Sequence, residues 1–350
     1  MTKRRVSAQA LGSFCEAVLE RHGVPRDDAA LISDSLVKAN LRGVDSHGVA
    51  RLPAYVTRVR AGLMNAVTRV AILVDKPSLL LLDGGNGFGQ VAASGAMRRI
   101  IEKAGKTGVA VAGLRNTNHF GMGAYFAMIP AASGMIGIAV SNAPPAMAPT
   151  GGSSPVLGTN PLSVCVPCGD GRHVVLDMAT TVVSRGKVRL AAREGKKIPP
   201  GWGLDASGLP TEDPGAVLKG GTLTPVGGPK GYGLAFVIDV LAGVITGAGF
   251  GPALKALDDL SGHACTGNFL AAVSVESFMP PAEFFERMES FAAQVKGVAR
   301  APGVERVYLP GEIEWEAEQE RSSGGIPLSD EVLRDLNALG AEQDLRIEIA

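Results

Sequence analysis

From Val67 onward, short apolar runs rich in Val, Ile and Leu alternate with stretches of helical period, and this alternation narrows the possible folds more than any other feature. RVAILVD, SLLLLDG, GVAVAGL, MIGIAVS, NPLSVCVP, HVVLDMA and NFLAAVSVES each have the length and β-branched content of a strand. QVAASGAMRRIIEKAGKTG and the segment from Pro281 to Lys296 are spaced as helices. The centre of the chain is therefore an α/β core. Ahead of it, Leu11, Phe14, Cys15, Val18 and Leu19 recur at helical intervals, and Asp27 and Asp28 after Pro25 mark a second helix start. RLPAYVTRVRAG adds a third helix, with Pro53 in its first turn or at a kink. Near the other end GIPLSDEVLRDLNALG reads as a helix capped by Ser329 and packed back on the body.

Glycine supplies 46 of the 350 residues, about twice the usual share and without a collagen period. Such residues serve turns and close backbone approaches. The Gly- and Pro-rich passage from Lys196 to Lys230 is expected to be a loop, and loops of that length usually carry function. The apolar stretch Gly233 to Phe250 contains Asp239 and four glycines, which favours a buried helix over a membrane span.

Thirty-four basic residues balance thirty-four acidic ones, so no overall field draws the chain to nucleic acid or to an anionic membrane. Four cysteines do not make a disulfide framework in a chain of this length, and MTKRRVSAQALGSFCEA lacks the apolar region of a signal peptide. A cytoplasmic protein is expected. Cys165 and Cys168 form one CxxC without a second pair, and His263 with Cys265 is weak support for a zinc site. They read as buried thiols, and no metal is expected.

Among nucleotide-binding motifs, a P-loop fails because Ile100 stands where the first glycine must be, five residues before Gly105, Lys106 and Thr107. DGGNGFGQVAA fits better. Gly87, Gly89 and Ala92 match GxGxxA between a strand and a helix, and Arg115 at the end of the next strand would suit a ribose 2′-phosphate. The competing reading is a glycine turn that serves only tight strand-to-helix packing.

Two histidines stand in polar settings. His119 follows an apolar strand that breaks into Arg, Asn, Thr and Asn, a usual place for chemistry, and imidazole suits proton transfer near neutral pH. If the segment around His47 is helical, His47, Arg51, Tyr55 and Arg58 share one face, where a guanidinium can clamp a carboxylate. The alternative is a solvated basic face. His22 and His173 have ordinary surroundings.

DSHGVARLPAY (45–55), RNTNHFGMGAY (115–125), GGSSPVLGTNPLSV (151–164), VLDMATTVVSRGKV (175–188), GGTLTPVGGPKGYGLAFVIDVLAG (220–243) and the late Gly311-Glu312 resemble the malate/L-lactate dehydrogenase family. This family also takes in ureidoglycolate, sulfolactate and diketogulonate dehydrogenases and a cyclic imine reductase. The motifs run in order over nearly the whole chain. The resemblance implies a mixed, largely antiparallel sheet covered by helices, unlike a Rossmann fold, with an N-terminal helical lobe and a homodimeric assembly. It divides the chain into a helical lobe, 1–75 joined by 312–350, and an α/β nucleotide- and substrate-binding domain, 76–311. It implies that Asp177, Met178, Ala179, Lys230, Gly311 and Glu312 contact NAD or NADP, with Asn142 and Thr159 near the dinucleotide. By the same resemblance His119 and His47 are the candidate acid/base residues, and Ser46, His47, Arg51 and Thr159 bind substrate.

Together these readings predict an NAD(P)-dependent oxidoreductase that interconverts a small 2-hydroxy acid and its 2-oxo acid. His119 is the proton acceptor, His47 is held in reserve, and Arg51 grips the substrate carboxylate. The alternatives are a cyclic imino acid reductase and a nucleotide-binding protein without catalysis. A zinc-bearing structural protein is more distant.

Overall fold

A computed structural model describes residues 4–169 and 171–347. The helical part opens with β1 (Arg4–Val6), α1 (Ala8–Arg21) and α2 (Arg26–Leu41). Ser7 caps α1 by accepting from the Ala10 N–H, and Asp27 and Asp28 lie at the positive end of α2. Single 3-10 turns at Asp45–His47 and Val49–Arg51 precede α3 (Leu52–Arg60), which holds Pro53 in its first turn. There follow β2 (Ala71–Lys76), β3 (Leu79–Asp83), α4 (Gly89–Thr107), β4 (Val109–Thr117), α5 (Gly123–Ala127), β5 (Met135–Ser141), β6 (Leu162–Val166) and β7 (Val174–Met178). The second half contains α6 (Arg185–Arg193), β8 (Gly203–Leu204), β9 (Pro210–Thr211), α7 (Pro214–Leu218), β10 (Thr222–Leu223) and α8 (Pro229–Asp239). The chain closes with β11 (Thr266–Ser274), α9 (Pro281–Lys296), α10 (Glu312–Gly324), β12 (Ile326–Leu328) and α11 (Asp330–Ala341).

Seven strands form the central sheet in the order β2-β3-β4-β11-β5-β6-β7. They are the seven apolar runs of the sequence. Within this sheet only β3 and β4 pair in parallel, and the other neighbours are antiparallel. The sheet is thus mixed and largely antiparallel, as the family resemblance implies. Alternate residues Ala110, Ala112 and Leu114 of β4 and Leu270 and Ala272 of β11 pack with Ala92, Ala96, Met97 and Ile100 of α4. Gly113 and Gly267 carry the segment after α8. A Cβ at Gly113 would lie 3.0 Å from the Thr246 methyl, and one at Gly267 would collide with the Ala242 carbonyl.

A second apolar core ties the two ends of the chain together. Leu11, Val18, Ile32 and Leu52 pack with Ile326, Leu333 and Leu336, and β1 pairs antiparallel with β12. Ser329 caps α11 by accepting from the Val332 N–H at 3.3 Å.

Two expectations need correction, and one helix has no counterpart among the predicted elements. The passage from Lys196 to Lys230 is not merely loop, because β8, β9 and β10 form a small sheet and α7 packs there around Val188, Ile198, Val217 and Leu223. The acidic C-terminal tail contains α10, which buries none of its residues completely and is held by ion pairs, Glu318 with Lys38 and Arg42 and Arg321 with Asp45. The stretch from Gly233 is only half covered. Ala235, Ile238 and Ala242 are buried, whereas Phe236, Val237, Val244 and Ile245 face outward. Among the described residues no helix is long and apolar enough to cross a membrane.

Candidate active site

His119 sits just past the C-terminal end of β4, and the residues around it are locked before the ring emerges. Thr117 Oγ1 donates to the Thr266 carbonyl at 2.9 Å, and Asn118 Nδ2 donates to the Asn86 and Gly87 carbonyls at 3.1 and 3.0 Å. The imidazole is then free only about its own side chain. His119 Nδ1 lies 2.8 Å from Tyr55 Oη, and Gln90 Nε2 donates to the same phenol oxygen at 2.9 Å. Tyr55 and Gln90 have no exposed surface.

His47 comes from the other part of the chain and stacks on His119, with ring centroids 5.5 Å apart and planes inclined by 16°. Its neighbours are not arranged as the helical spacing predicts. Gly48 is extended and breaks the segment into two 3-10 turns, because its backbone lies so close to the Asn40 side chain that a Cβ would collide with it. His47 and Arg51 still reach one cleft. Ser46 Oγ lies 3.0 Å from His47 Nδ1, and Arg51 Nε donates to the Ser46 carbonyl at 2.6 Å.

Arg58 leaves this face altogether. Its guanidinium is buried and donates to the Asp259 and Gly262 carbonyls at 2.6 and 2.8 Å. It pins the loop that forms the opposite wall of the cleft, where Lys255 and Asp258 stand.

The cleft holds about 230 Å³ and is lined by His47, Arg51 and His119 together with Asn142, Thr159, Arg185 and Arg189. Arg51, Arg185, Arg189 and Lys255 face a single acid, Asp258, which pairs with Arg189 at 3.0 Å. This wall selects for anions. Burial, reinforced by Arg51, pushes His47 down from its ordinary 6.5 to about 4. Burial also takes His119 well below its ordinary value, with further lowering from His47 and Arg51. Both rings are neutral at pH 7, as a proton acceptor must be.

The glycine-rich turn before α4 is a packing turn. β3, α4 and β4 do make a strand-helix-strand unit with parallel strands, but the turn is filled by the chain itself. A Cβ at Gly87 would lie 2.7 Å from Thr68 Oγ1, and Thr68 Oγ1 already accepts the Phe88 N–H at 3.0 Å. The space beside these glycines is taken by Thr68 and the Arg69 carbonyl. Arg115 pairs with Asp83 at 3.0 Å.

The residues marked for the dinucleotide fall into two groups. The first adjoins the cleft. Thr180 N–H donates to the Thr159 carbonyl and Val226 N–H to the Thr180 carbonyl, both at 2.9 Å, so a seam runs from the cleft past Ala179 to the Gly227-Gly228 turn and Lys230. The Asn142 side chain is committed to this frame, donating to Asp239 Oδ1 at 3.0 Å and accepting the Gly267 N–H at 3.0 Å. The second group lies apart. Asp177 and Gly311 line a cavity of about 200 Å³ with Arg42 and Glu314, and that cavity has neither histidine in its wall. Burial raises the Asp177 carboxyl against its bonds from Ser163 Oγ at 2.6 Å and the Ala124 N–H at 3.2 Å. Gly311 packs on Val175, and Glu312 is paired with Lys296 and Arg306. Burial alone would raise Glu312, but Lys296, the Leu309 N–H and Arg306 hold it at about 2. Met178 ends β7 and is half-buried.

Cys165 is buried, with its thiol pushed up to about 12 by desolvation, and His263 is engaged by Asn86 Nδ2 at 2.9 Å. Among the described residues no three His, Cys, Asp or Glu side chains are placed to hold a metal ion.

Residues 6–337 match the model of the malate/L-lactate dehydrogenase family, and the chain belongs to that family. It is similar to a malate dehydrogenase of Pyrococcus abyssi, 39% identical over 342 residues that span 96% of this chain and 94% of the relative. It is 34% identical over 334 residues to the ureidoglycolate dehydrogenase (NAD(+)) of Escherichia coli K12, covering 95% of each. Among solved structures it is similar to the sulfolactate dehydrogenase from Methanocaldococcus jannaschii, with a TM-score of 0.92, 36% identity and 98% of each chain covered. The protein is an oxidoreductase.

Proposed function

We propose that this chain interconverts a small 2-hydroxy acid and its 2-oxo acid with NAD or NADP. The observation that carries the proposal is the convergence in one cleft of a neutral imidazole, held from behind by a buried phenol, and a guanidinium whose terminal nitrogens make no hydrogen bond among the described residues. Arg51 grips the carboxylate. His119 accepts the hydroxyl proton during oxidation and returns it during reduction, while Ser46, His47 and Thr159 shape the pocket.

The residues present fit a dinucleotide. Gly227 and Gly228 both have positive φ, 62° and 64°, and lead into the N-terminus of α8, where exposed Lys230 makes no ion pair among the described residues. An ammonium beside a glycine turn at a helix start suits a pyrophosphate. When bound, the nicotinamide supplies the hydride chemistry at its C4. Asn142 and Ala179 belong to the frame beside it, and Asp177, Met178, Gly311 and Glu312 extend the same reading toward the far cavity. Lys230→Ala should then weaken cofactor binding about ten- to a hundredfold, the effect of losing one charge-assisted contact. Arg115→Ala should leave it nearly unchanged, since Arg115 is spent on Asp83. Quenching or enhancement of reduced-nicotinamide fluorescence on titration measures both, and the opposite ranking would point back to the glycine turn before α4.

The cationic wall favours a substrate with a second anionic group, and the malate and sulfolactate dehydrogenases it resembles are named for such acids. The same proposal includes a homodimer, for which the outward row Phe236, Val237, Val244 and Ile245 is a suitable surface. A screen of 2-oxo acids and cyclic imino acids with NADH and NADPH tests the function. Turnover should be highest with 2-oxo diacids. No oxidation of either cofactor with any substrate, while the cofactor still binds, would support a nucleotide-binding protein without catalysis.

A further inference from the structure

Gln90 and Ser94 are the buried polar side chains of α4, whose inner side otherwise presents small and apolar residues such as Ala93, Met97 and Ile100, and of the two Gln90 reaches Tyr55. It has no exposed surface, and while its Nε2 donates to Tyr55 Oη, its Oε1 has no hydrogen-bond partner among the described residues. In either orientation of the amide one of its two polar atoms stays without a partner among the described residues, so the choice between them falls to the hydrogen-bonded row that Gln90 heads. Counting hydrogens along the row shows what this orientation does to His119. A phenol has one hydrogen to give. If Gln90 donates to Tyr55, the phenol hydrogen must go to His119 Nδ1, and the ring proton is forced onto Nε2, the nitrogen left for the cleft. Such a ring can accept no proton there, and giving up the one it has would leave an imidazolate. Turning the amide by half a turn reverses the row. Tyr55 then donates to Gln90 Oε1, its oxygen accepts Nδ1–H from His119, and Nε2 offers a lone pair to an alcohol or, as imidazolium, a hydrogen to a carbonyl.

We infer that Gln90 is a positioning residue that sets the tautomer of His119 through Tyr55, by presenting its amide oxygen to the phenol. The inference rests on the proposed role of His119. In oxidation the hydroxyl proton moves to Nε2 as the hydride leaves for the nicotinamide dinucleotide. Nδ1 keeps its hydrogen throughout, so no proton passes to Tyr55 or Gln90. In reduction Nε2–H returns to the carbonyl oxygen. Both working states need the same amide orientation.

Two substitutions separate this role from packing. Gln90→Glu keeps an acceptor for the phenol hydrogen, whereas Gln90→Leu removes it. A residue that only fills space would tolerate Leu better, because a buried carboxylate is more disruptive than an apolar side chain. The expected order is the reverse. Gln90→Leu should lose about ten- to a hundredfold in kcat, less than the ~10²- to 10⁴-fold of losing the acid/base itself because Gln90 acts through it, with KM and cofactor affinity little changed, and Gln90→Glu should recover most of the loss. Nitrogen-15 shifts of histidine-labelled protein, assigned with His119→Ala, should show His119 as the Nδ1–H tautomer in the wild type and as Nε2–H in Gln90→Leu. An Nε2–H ring in the wild type, or a Leu variant at least as active as the Glu variant, overturns the inference. The wild-type spectrum needs neither variant to fold. Near-normal turnover of His119→Ala in the same assay would instead remove the proton-transfer role on which the inference stands, and the spectrum would still report the ring's tautomer.

Discussion

His119→Ala is expected to retain cofactor affinity and to lose about 10² to 10⁴ in turnover, the scale set by removing a positioned acid/base. Its ring lies at a strand end fixed by Thr117 and Asn118, and the phenol of Tyr55 leaves only one nitrogen for the cleft. His47 stacks on it but is tethered to Ser46 instead. The pH dependence has a definite sign. A base acts when unprotonated, and burial holds His119 well below its ordinary 6.5, so kcat/KM for oxidation should stay level from neutral pH down to at least 6.5. An acid limb at or above that value would contradict the assignment. Near-normal turnover of His119→Ala, with His47→Ala inactive, would transfer the role to His47.

Arg51→Lys is expected to lower kcat/KM about ten- to a hundredfold, equivalent to roughly 1.5–3 kcal/mol. Arg51 Nε is already used on the Ser46 carbonyl at 2.6 Å, which orients the guanidinium and leaves its two terminal nitrogens as a fork for a carboxylate. An ammonium supplies charge but neither the fork nor the tether. Steady-state kinetics over a range of substrate concentrations separates the two parameters, and an unaffected Lys variant would return Arg51 to the solvated face that its spacing alone also allows.

Much of the sheet was legible because each of its strands is an apolar run bounded by polar or glycine residues. β8, β9 and β10 were not, since two residues cannot display an alternation. α10 was missed for another reason. It is held by Glu318 and Arg321 through ion pairs and has no apolar stripe to read. In the site, His119 stood out because a β-strand ended in a polar cluster, and Arg51 because it follows His47 by four residues. The actual backbone between them is broken at Gly48, a contact with Asn40 that lies outside the local sequence. Gln90 directly follows the glycine-rich run, whose spacing matches a phosphate turn and gives no sign of a buried amide. Arg185 and Arg189 carried a usable signal, two cations four residues apart after a serine cap, but only the fold brings them opposite Arg51.

In the proposed reaction a bound nicotinamide would take the hydride directly from C2 of a hydroxy acid, with only the hydroxyl proton passing to the protein. Oxidation of a 2-deuterated substrate from the group that turns over, followed by mass analysis of the reduced cofactor, measures this most directly. Full retention of the deuterium in the reduced nicotinamide is the predicted result. Deuterium found in water, with unlabelled reduced cofactor, would contradict it.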